Sequence, residues 1–280
     1  MEKHKTVKIF HNTDLDELNS EIWYTVDEEG QPLVFGDATE KKYAKWLTSN
    51  IIIEGEALNK LRKGIMPAGW LFRGEMVKGY IEQFDDEEMW KGFEYTYAER
   101  LLKYEVPNPD YPETVREMLW YILTKFKVPP KTVRVNQLEH MSVQLKEAFD
   151  LEIQSTRIVA DLGQPHIDWK INDIPCLRQI QVLPLPGRKV EVHFLFRSHD
   201  YGNGYGANMA MLINAINKHV IAPAGGLLVK VVLTSWVAHL YDNDASMFKP
   251  VVAAYKKRRF ENDMRASIVN NLNKSVEKET

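Results

Sequence analysis

Hydrophobic residues recur along this chain mainly with helical spacing in its first half and with strand-like alternation in its second half. The helical spacing is strongest near the middle, where Leu138, Met141, Leu145 and Phe149 fall on one face of a predicted helix. The segments predicted as helices are 39–47, 75–84, 135–151 and 209–220. The pattern therefore predicts helices before residue 157 and another at 209–220, within a region otherwise rich in strands.

From residue 157 onward the pattern changes to that of β-strands. Between 189 and 196, apolar residues alternate with Glu191 and His193, which is typical of a strand with one buried face. The segment 236–241 leads out of the last predicted strand. The predicted strands are 157–160, 177–183, 189–196 and 227–234.

A Pro-Gly pair at 186–187 predicts a hairpin that begins after Cys176, the only cysteine, and ends at Arg197. Because the outer ends of two antiparallel strands meet, we expect the thiol and the guanidinium to lie close together. Three groups here are suited to hold an anion: the Arg197 guanidinium, the Ser198 hydroxyl and the Gly-rich backbone of 201–208. Positive charge beside a thiol favours the thiolate, which is the nucleophilic form. The hairpin thus predicts a nucleophile near an anion site.

Composition limits the class of protein. The chain has 280 residues, 44% of them hydrophobic and 27% charged, which is typical of a soluble globular protein. One large α/β or α+β domain fits this length as well as two smaller domains do. The formal net charge of −3 gives no sign of a nucleic-acid-binding surface, so any anionic ligand needs a local cluster of donors.

The sequence also indicates a compartment. The N-terminus lacks the apolar core of a signal peptide, and the most apolar run, 221–241, is interrupted by Pro223, Lys230 and His239. We therefore expect no membrane span. A lone cysteine cannot form an internal disulfide or a cysteine-based zinc site, which suits a reducing compartment. We expect the protein to be cytoplasmic.

Five features occur together in register. Two of them involve the cysteine: Pro175 precedes Cys176, and Arg157 lies nineteen residues before it. Two more are an Arg-Ser-x-Asp sequence at 197–200 before a Gly-containing turn and Asn208, eleven residues after Arg197. The fifth is a His-x-Tyr pair at His239 and Tyr241. In this combination the chain resembles thymidylate synthases and their sister pyrimidine hydroxymethylases, from about 155 to 244. Segment 95–101 also resembles the tyrosine segment of archaeal-type members. Residues 91–280 are thus predicted to be the catalytic core, and 1–90 a divergent N-terminal part of the same domain.

The resemblance implies an α+β fold, with a large mixed β-sheet on which helices pack and through which two chains dimerise. It implies one-carbon transfer to C5 of a deoxypyrimidine monophosphate through a covalent adduct between cysteine and C6. The co-substrate is 5,10-methylenetetrahydrofolate, and no metal is required. Within the family, an asparagine at the position of Asn208 indicates a uracil nucleotide, so the expected reaction is dUMP to dTMP.

The same resemblance implies a role for each candidate site residue. The nucleophile is Cys176, the proton-transfer residue is Tyr97, and the general acid–base is Glu75. The nucleotide is bound by Arg197, Ser198 and Arg157 at its phosphate, by Asn208 at its base, and by His239 and Tyr241 at its 3′-hydroxyl; Arg157 is donated across the homodimer interface. The folate contacts are Asp200 and Gly204. Glu117 resembles another fragment of the glutamate helix, but it follows Tyr97, whereas the family's glutamate precedes it.

Ordinary physical chemistry leaves other roles open for several of these side chains. Cys176 is also compatible with a small buried hydrophobe, Asn208 with a helix N-cap, and Asp200 with a turn residue. The remaining alternatives are core packing for Tyr97, His239 and Tyr241 and surface ion pairs for Arg157 and Arg197.

Departures from the family pattern support rival functions. At three positions the chain differs from many family members: Thr156 stands in place of an Arg, Leu177 in place of a His, and Phe196 in place of a Gln. Segment 275–280 also lacks an apolar tail. These departures motivate a dUMP hydroxymethylase, in which water intercepts the one-carbon unit; a dCMP enzyme fits Asn208 less well. The same losses, with the basic segment 256–259, motivate a non-catalytic nucleotide- or RNA-binding protein on this fold.

Overall fold

The computed structural model describes residues 7–36, 41–67, 75–91, 93, 96–125, 127–170 and 174–279. The strands are β1 (Lys8–His11), β2 (Gln31–Gly36), β3 (Lys41–Glu54), β4 (Tyr104–Pro107), β5 (Thr132–Val135), β6 (Val159–Asp161), β7 (Leu177–Leu185), β8 (Lys189–Phe196), β9 (His199–Asp200) and β10 (Leu227–Tyr241). The helices are α1 (Leu15–Glu29), α2 (Gly55–Arg62), α3 (Glu75–Glu82), α4 (Tyr97–Leu102), α5 (Val115–Lys125), α6 (Gln137–Asp150), α7 (Pro165–Asp168), α8 (Gly204–Ile216) and α9 (Ala245–Glu279).

Eight of the described strands form one large mixed β-sheet, and β4 and β5 form a separate two-stranded sheet. The fold is therefore α+β, as predicted. Backbone contacts divide the chain into two compact units. Unit 1 contains Met1–Lys78, Phe196–Ala210 and Val232–Thr280, and unit 2 contains Gly79–Leu195 and Met211–Val231. In the described part of the chain, no helix is both long and apolar enough to cross a membrane.

Unit 1 is organised around β3, which pairs in parallel with β1 and antiparallel with β2. Helix α1 begins at its N-cap Asp14, whose side chain accepts hydrogen bonds from the backbone N–H groups of Asp16 and Glu17. Its fully buried side chains include Leu18 and Ile22, which are four residues apart and so share one face of the helix. That face packs toward β3 and α9.

The prediction of a helix over 39–47 is wrong for residues 41–47, which belong to strand β3; residues 39 and 40 lie outside the described residues. Ala44 and Leu47 are three residues apart, a spacing that also suits a helix. Further along β3, however, the buried residues Leu47, Ser49, Ile51 and Ile53 alternate with more exposed ones. Antiparallel pairing of residues 41–46 with β2 satisfies the backbone of this segment as a strand, and tertiary context overrides the local preference.

Unit 2 contains the predicted hairpin. Strands β7 and β8 are neighbours in the sheet, joined by the three-residue turn Pro186–Arg188. Gly187 in this turn has φ 73°, a left-handed conformation that glycine adopts without steric cost. Strand β8 has the predicted bounds, and Val190, Val192 and Phe194 point into the core. Cys176 immediately precedes β7, and Arg197 immediately follows β8.

The other predicted elements agree with the structure apart from their ends. Helix α6 buries Leu138, Met141 and Leu145, as its spacing predicted. Helix α3 covers most of 75–84, and α8 starts before residue 209 and continues into a π-helical turn at Asn217–Ile221. Strand β10 extends to Tyr241, so 236–241 is its last part rather than a segment leading out of it.

Candidate active site

The predicted site residues are divided between the two units. Unit 1 contains Arg197, Ser198, Asp200, Gly204, Asn208, His239 and Tyr241, and unit 2 contains Tyr97, Arg157 and Cys176. Glu75 is the first residue of α3, and its side chain lies outside the described residues. The structure brings most of the unit 1 residues together in one place.

Pairing between β9 and β10 joins two sequence features that are far apart along the chain. The strands run parallel, with His199 opposite Ala238 and Asp200 opposite His239. The Tyr201 backbone N–H donates a hydrogen bond of 2.8 Å to the His239 carbonyl. The end of the Arg-Ser-x-Asp sequence therefore lies beside the His-x-Tyr pair.

Asp200 opens the Gly-rich turn. Its Oδ1 accepts hydrogen bonds from the backbone N–H groups of Gly202, at 2.8 Å, and Asn203, at 3.2 Å. Burial raises the pKa of Asp200 to about 6; the two N–H groups oppose this effect, and the charge of Asp244 adds to it. Asp200 is thus a turn residue whose carboxyl group changes protonation state near neutral pH.

Gly204 lies between the side chains of Asp200 and Asn208. A methyl group added at Gly204 would stand 3.4 Å from Asn208 Nδ2 and 3.6 Å from Asp200 Cβ. Helix α8 begins at Gly204, so Asn208 lies inside the helix, and its interpretation as an N-cap is wrong. The half-buried side chain of Asn208 remains available for recognition.

His199 belongs to this cluster, although the sequence did not identify it. Its side chain is 2% exposed and stacks on Phe196, with ring centroids 3.9 Å apart and planes 2° apart. The rings of Tyr201 and Tyr205 meet it edge-on at 5.4 and 5.9 Å. Asn208 Nδ2 lies 3.4 Å from His199 Nε2. The only sequence signal was its position as the variable residue of Arg-Ser-x-Asp.

His199 carries no charge at neutral pH. Burial lowers the pKa of His199 well below its usual value, and the charge of His239 lowers it further. Its Nδ1 is buried and has no hydrogen-bond partner among the described residues. The imidazole is therefore neutral, with one nitrogen toward Asn208 and the other in a largely aromatic environment.

His239 and Tyr241 lie at the end of β10, with ring centroids 4.7 Å apart. Phe35 of β2 packs against both rings, at 4.6 and 5.4 Å, which the sequence did not indicate. His239 Nδ1 lies 3.3 Å from the Val237 carbonyl, whereas its buried Nε2 has no partner among the described residues. Burial lowers the pKa of His239 to about 4. A neutral imidazole with one unsatisfied nitrogen is suited to bind a ligand hydroxyl.

A buried polar cluster holds this region in place. The Tyr201 hydroxyl lies 2.8 Å from Ser49 Oγ and 3.0 Å from Ser235 Oγ. The Trp23 indole N–H donates to the Tyr201 carbonyl at 2.7 Å. Burial raises the pKa of Tyr201 to about 12, so its hydroxyl keeps its proton. These bonds connect the Gly-rich turn to α1, β3 and β10 within unit 1.

In unit 2, Cys176 is half-buried, while Arg157 is exposed just before β6. Tyr97 is the first residue of α4, after the N-cap Thr96, and is half-buried. The same helix carries Arg100, which forms a buried ion pair of 2.8 Å with Asp168. Sequence reasoning missed this ion pair, because its partners are far apart along the chain.

The basic segment 256–259 lies on α9, and it contacts α1. Lys256 pairs with Glu28 at 2.5 Å, and Arg258 pairs with Glu17 at 3.0 Å. The Arg259 guanidinium lies 5.5 Å from the Tyr24 ring centroid. These cations serve helix packing within unit 1, which removes part of the reason for expecting an RNA-binding surface.

Comparison with known proteins gives relatives but no family model. No protein-family model matches the chain. A Methanosarcina mazei protein is 26% identical over 220 residues, 78% of this chain and 83% of its own length. A Methanosarcina barkeri protein is 24% identical over 237 residues, 83% of this chain and 91% of its own. A Methanopyrus kandleri protein is 25% identical over 237 residues, 77% of this chain and 96% of its own.

All three relatives carry the name "Putative thymidylate synthase". The similarity covers about four-fifths of the chain and supports the resemblance to an archaeal-type thymidylate synthase-like family. It also supports, at the level of the family, a transferase of nucleotide metabolism. The mixed sheet described above is consistent with a thymidylate synthase-like fold.

Proposed function

We propose that this thymidylate synthase-like chain transfers a one-carbon unit from 5,10-methylenetetrahydrofolate to C5 of dUMP and releases dTMP. The observation that carries the proposal is the pairing of β9 with β10. It joins the end of the Arg-Ser-x-Asp sequence, the His-x-Tyr pair and Asn208 in one small region. These features would recognise three different parts of one nucleotide.

Nucleotide binding would use each of these parts. Arg197 and Ser198 would hold the 5′-phosphate, a dianion that favours a planar guanidinium and a hydroxyl donor. Asn208 would accept from the uracil N3–H and donate to O4. His239 and Tyr241 would bind the 3′-hydroxyl; the unsatisfied Nε2 of His239 supports this role.

The covalent step would use Cys176. Its thiolate attacks C6 of the pyrimidine, a sulfur–carbon bond forms, and the electron pair of the C5–C6 double bond moves toward C5 and O4. C5 then becomes the nucleophile that accepts the one-carbon unit. Tyr97, through water, would help remove the C5 proton, and Glu75 would act as general acid–base. Release of the product breaks the bond to sulfur.

The folate supplies the one-carbon unit and the hydride when it is bound. Asp200 and Gly204 are proposed to contact its pterin ring. Asp200 fits this role, because two backbone N–H groups orient its half-buried carboxyl group. A carboxylate accepts hydrogen bonds from pterin N–H groups, and its pKa of about 6 leaves it mostly ionised at neutral pH.

The proposal is tested by incubating the protein with dUMP and methylenetetrahydrofolate and measuring dTMP and dihydrofolate. We expect both products from the natural sequence. We expect Cys176→Ser to lose turnover by at least about a thousandfold while binding dUMP within about threefold, since only the nucleophile changes. Cys176→Ala is the matched control and should behave in the same way.

A covalent complex provides an independent readout. With 5-fluoro-dUMP and the folate, we expect an adduct on Cys176 by mass spectrometry, because fluorine at C5 cannot leave as the proton does. Wild-type turnover by Cys176→Ser would contradict the proposal.

A second candidate is dUMP hydroxymethylation. It is favoured by Leu177, which is fully buried and apolar at the position after Cys176 where the family often carries a histidine. The two reactions differ in the access of one water molecule to the one-carbon unit. 5-Hydroxymethyl-dUMP formed without dihydrofolate would identify the hydroxymethylase.

A further inference from the structure

We propose that His199 is a positioning residue, which holds the carboxamide of Asn208 in one orientation so that the site selects uracil over cytosine. The inference rests on the proposed function, in which Asn208 reads the base. It concerns a residue that would touch no substrate atom and would act only through Asn208.

The two side chains come from different elements of unit 1. His199 is on β9, and Asn208 is on the second turn of α8. His199 Nε2 and Asn208 Nδ2 lie 3.4 Å apart, at the long end of the hydrogen-bond range. Since Asn208 is half-buried and His199 fully buried, the imidazole would contact the protein side of the amide.

The surroundings of the imidazole decide where its proton lies. The ring is enclosed by Phe196, Tyr201 and Tyr205, and its buried Nδ1 has no partner among the described residues. Buried N–H groups without an acceptor are rarer in proteins than acceptors without a donor. The neutral ring therefore carries its proton on Nε2, the nitrogen that faces Asn208.

A proton on Nε2 requires an acceptor opposite it. A half-turn of the Asn208 amide exchanges its oxygen and nitrogen in nearly the same volume, so the two ends are told apart by their hydrogen bonds. Because Nε2–H and Asn208 Nδ2 are both donors, the inference requires this half-turn, in which Oδ1 takes the place of Nδ2 at 3.4 Å from Nε2 and Nδ2 lies on the other side. His199 thus determines whether the oxygen or the nitrogen of the Asn208 amide faces it.

A fixed amide discriminates between bases. Uracil presents an N–H donor at N3 and an acceptor at O4, whereas cytosine presents an acceptor at N3 and a donor at N4. An amide that turns freely matches either base, because it can exchange its own donor and acceptor. An amide that is held in one orientation matches only one of them. We infer that His199 holds the orientation that matches uracil.

The experiment compares the affinities of the full-length protein for dUMP and dCMP by titration calorimetry. His199→Phe keeps an aromatic ring against Phe196 but has no nitrogen facing Asn208. We expect the preference for dUMP over dCMP to fall at least about tenfold, since one directional hydrogen bond is lost.

The matched control is Phe196→Leu, which loosens the stacking but keeps both nitrogens of His199. Its preference for dUMP is expected to stay within about threefold of wild type. An unchanged preference in His199→Phe would overturn the inference. An equal loss of preference in both variants would overturn it as well, because packing alone would then explain the effect.

A second measurement does not depend on the folding of a variant. The nitrogen chemical shifts of His199 in the unaltered protein report its tautomer by NMR. We expect Nε2–H, and Nδ1–H would overturn the inference. If the unaltered protein bound neither nucleotide, the proposed function would fail as well. If His199→Phe bound dUMP with an unchanged preference over dCMP, only the role of His199 would be contradicted.

Discussion

Burial moves the pKa values of neighbouring side chains in opposite directions. It raises the pKa of Asp200 and lowers the pKa values of His199 and His239, although the three lie close in space. The same desolvation raises the pKa of Asp200 to about 6 and lowers that of His239 to about 4. The pKa of His199 is also lowered. Burial disfavours whichever form is charged, which is the base form of a carboxyl group and the acid form of an imidazole. At neutral pH, the site therefore contains a mostly ionised carboxylate and two neutral imidazoles.

Asp200→Asn should make the protein more sensitive to acid. The pKa of Asp200 is raised on folding, so its stabilising contribution is present below about pH 4 and lost as pH rises through about 6. The pKa of His239 is lowered on folding, so its contribution is lost as pH falls from about 6.5 toward 4. The two effects oppose each other in the same pH window.

Urea unfolding at several pH values measures this effect. Asparagine still accepts from the N–H groups of Gly202 and Asn203, so the turn should persist. Between about pH 6.5 and 4, we expect the variant to lose about 1–2 kcal/mol more of its free energy of unfolding than the natural protein. His239→Gln should show the opposite change, and parallel curves for all three proteins would contradict the assignment.

At the scale of elements, helices α1 and α9 are joined around a buried carboxylate. Asp27 on α1 is 3% exposed, and both of its oxygens lie 2.7 Å from Lys249 Nζ on α9. Lys45 on β3 approaches the same carboxylate at 3.4 Å. A buried charge without its partner is costly, so we expect this contact to help fix how α9 packs on α1.

Lys249→Met should destabilise unit 1. The variant keeps most of the alkyl chain but removes one of the two cations near Asp27, and Lys45 compensates only in part. We expect the free energy of unfolding to fall by about 1–3 kcal/mol in denaturant titrations. Lys257→Met is the control, since this exposed lysine lies 4.0 Å from Glu261 and should change stability by less than about 0.5 kcal/mol. Equal effects of the two substitutions would disprove the special role of Asp27.

At the scale of the whole molecule, the family resemblance predicts a homodimer, and we propose that each active site uses Arg157 of the other subunit. Arg157 is exposed in the single chain, as a residue donated to a partner would be. A symmetric dimer would then contain two composite sites, each with Cys176 from one chain and Arg157 from the other.

Subunit mixing tests the composite site. Arg157→Ala and Cys176→Ser should each be nearly inactive alone. Random reassembly of the two should restore roughly a quarter of wild-type turnover, because half of the dimers would contain one intact site of two. A mixture with no more activity than its parts would contradict donation across the interface. Each variant reassembled with itself serves as the control.

Much of the local structure is encoded in the order of residues alone. The bounds of β8, the turn at Pro186–Arg188 and the buried face of α6 follow from periodicity and turn chemistry, which act between near neighbours. The prediction over 39–47 failed because the apolar spacing of Ala44 and Leu47 favours a helix locally, whereas the segment is a strand. Only the pairing of residues 41–46 with β2 decides between helix and strand.

The candidate site, like the fold, depends partly on the local sequence and partly on the tertiary structure. Sequence register singled out Arg197, Asp200 and Asn208, and the family resemblance that it carries implied the chemistry they would serve. Only the tertiary structure set Asp200 opposite His239 and brought His199 against Asn208. The physical reason is that β9–β10 pairing and burial join residues distant along the chain. That burial shifts the pKa of each imidazole and of the Asp200 carboxyl group, in the direction that residue type dictates.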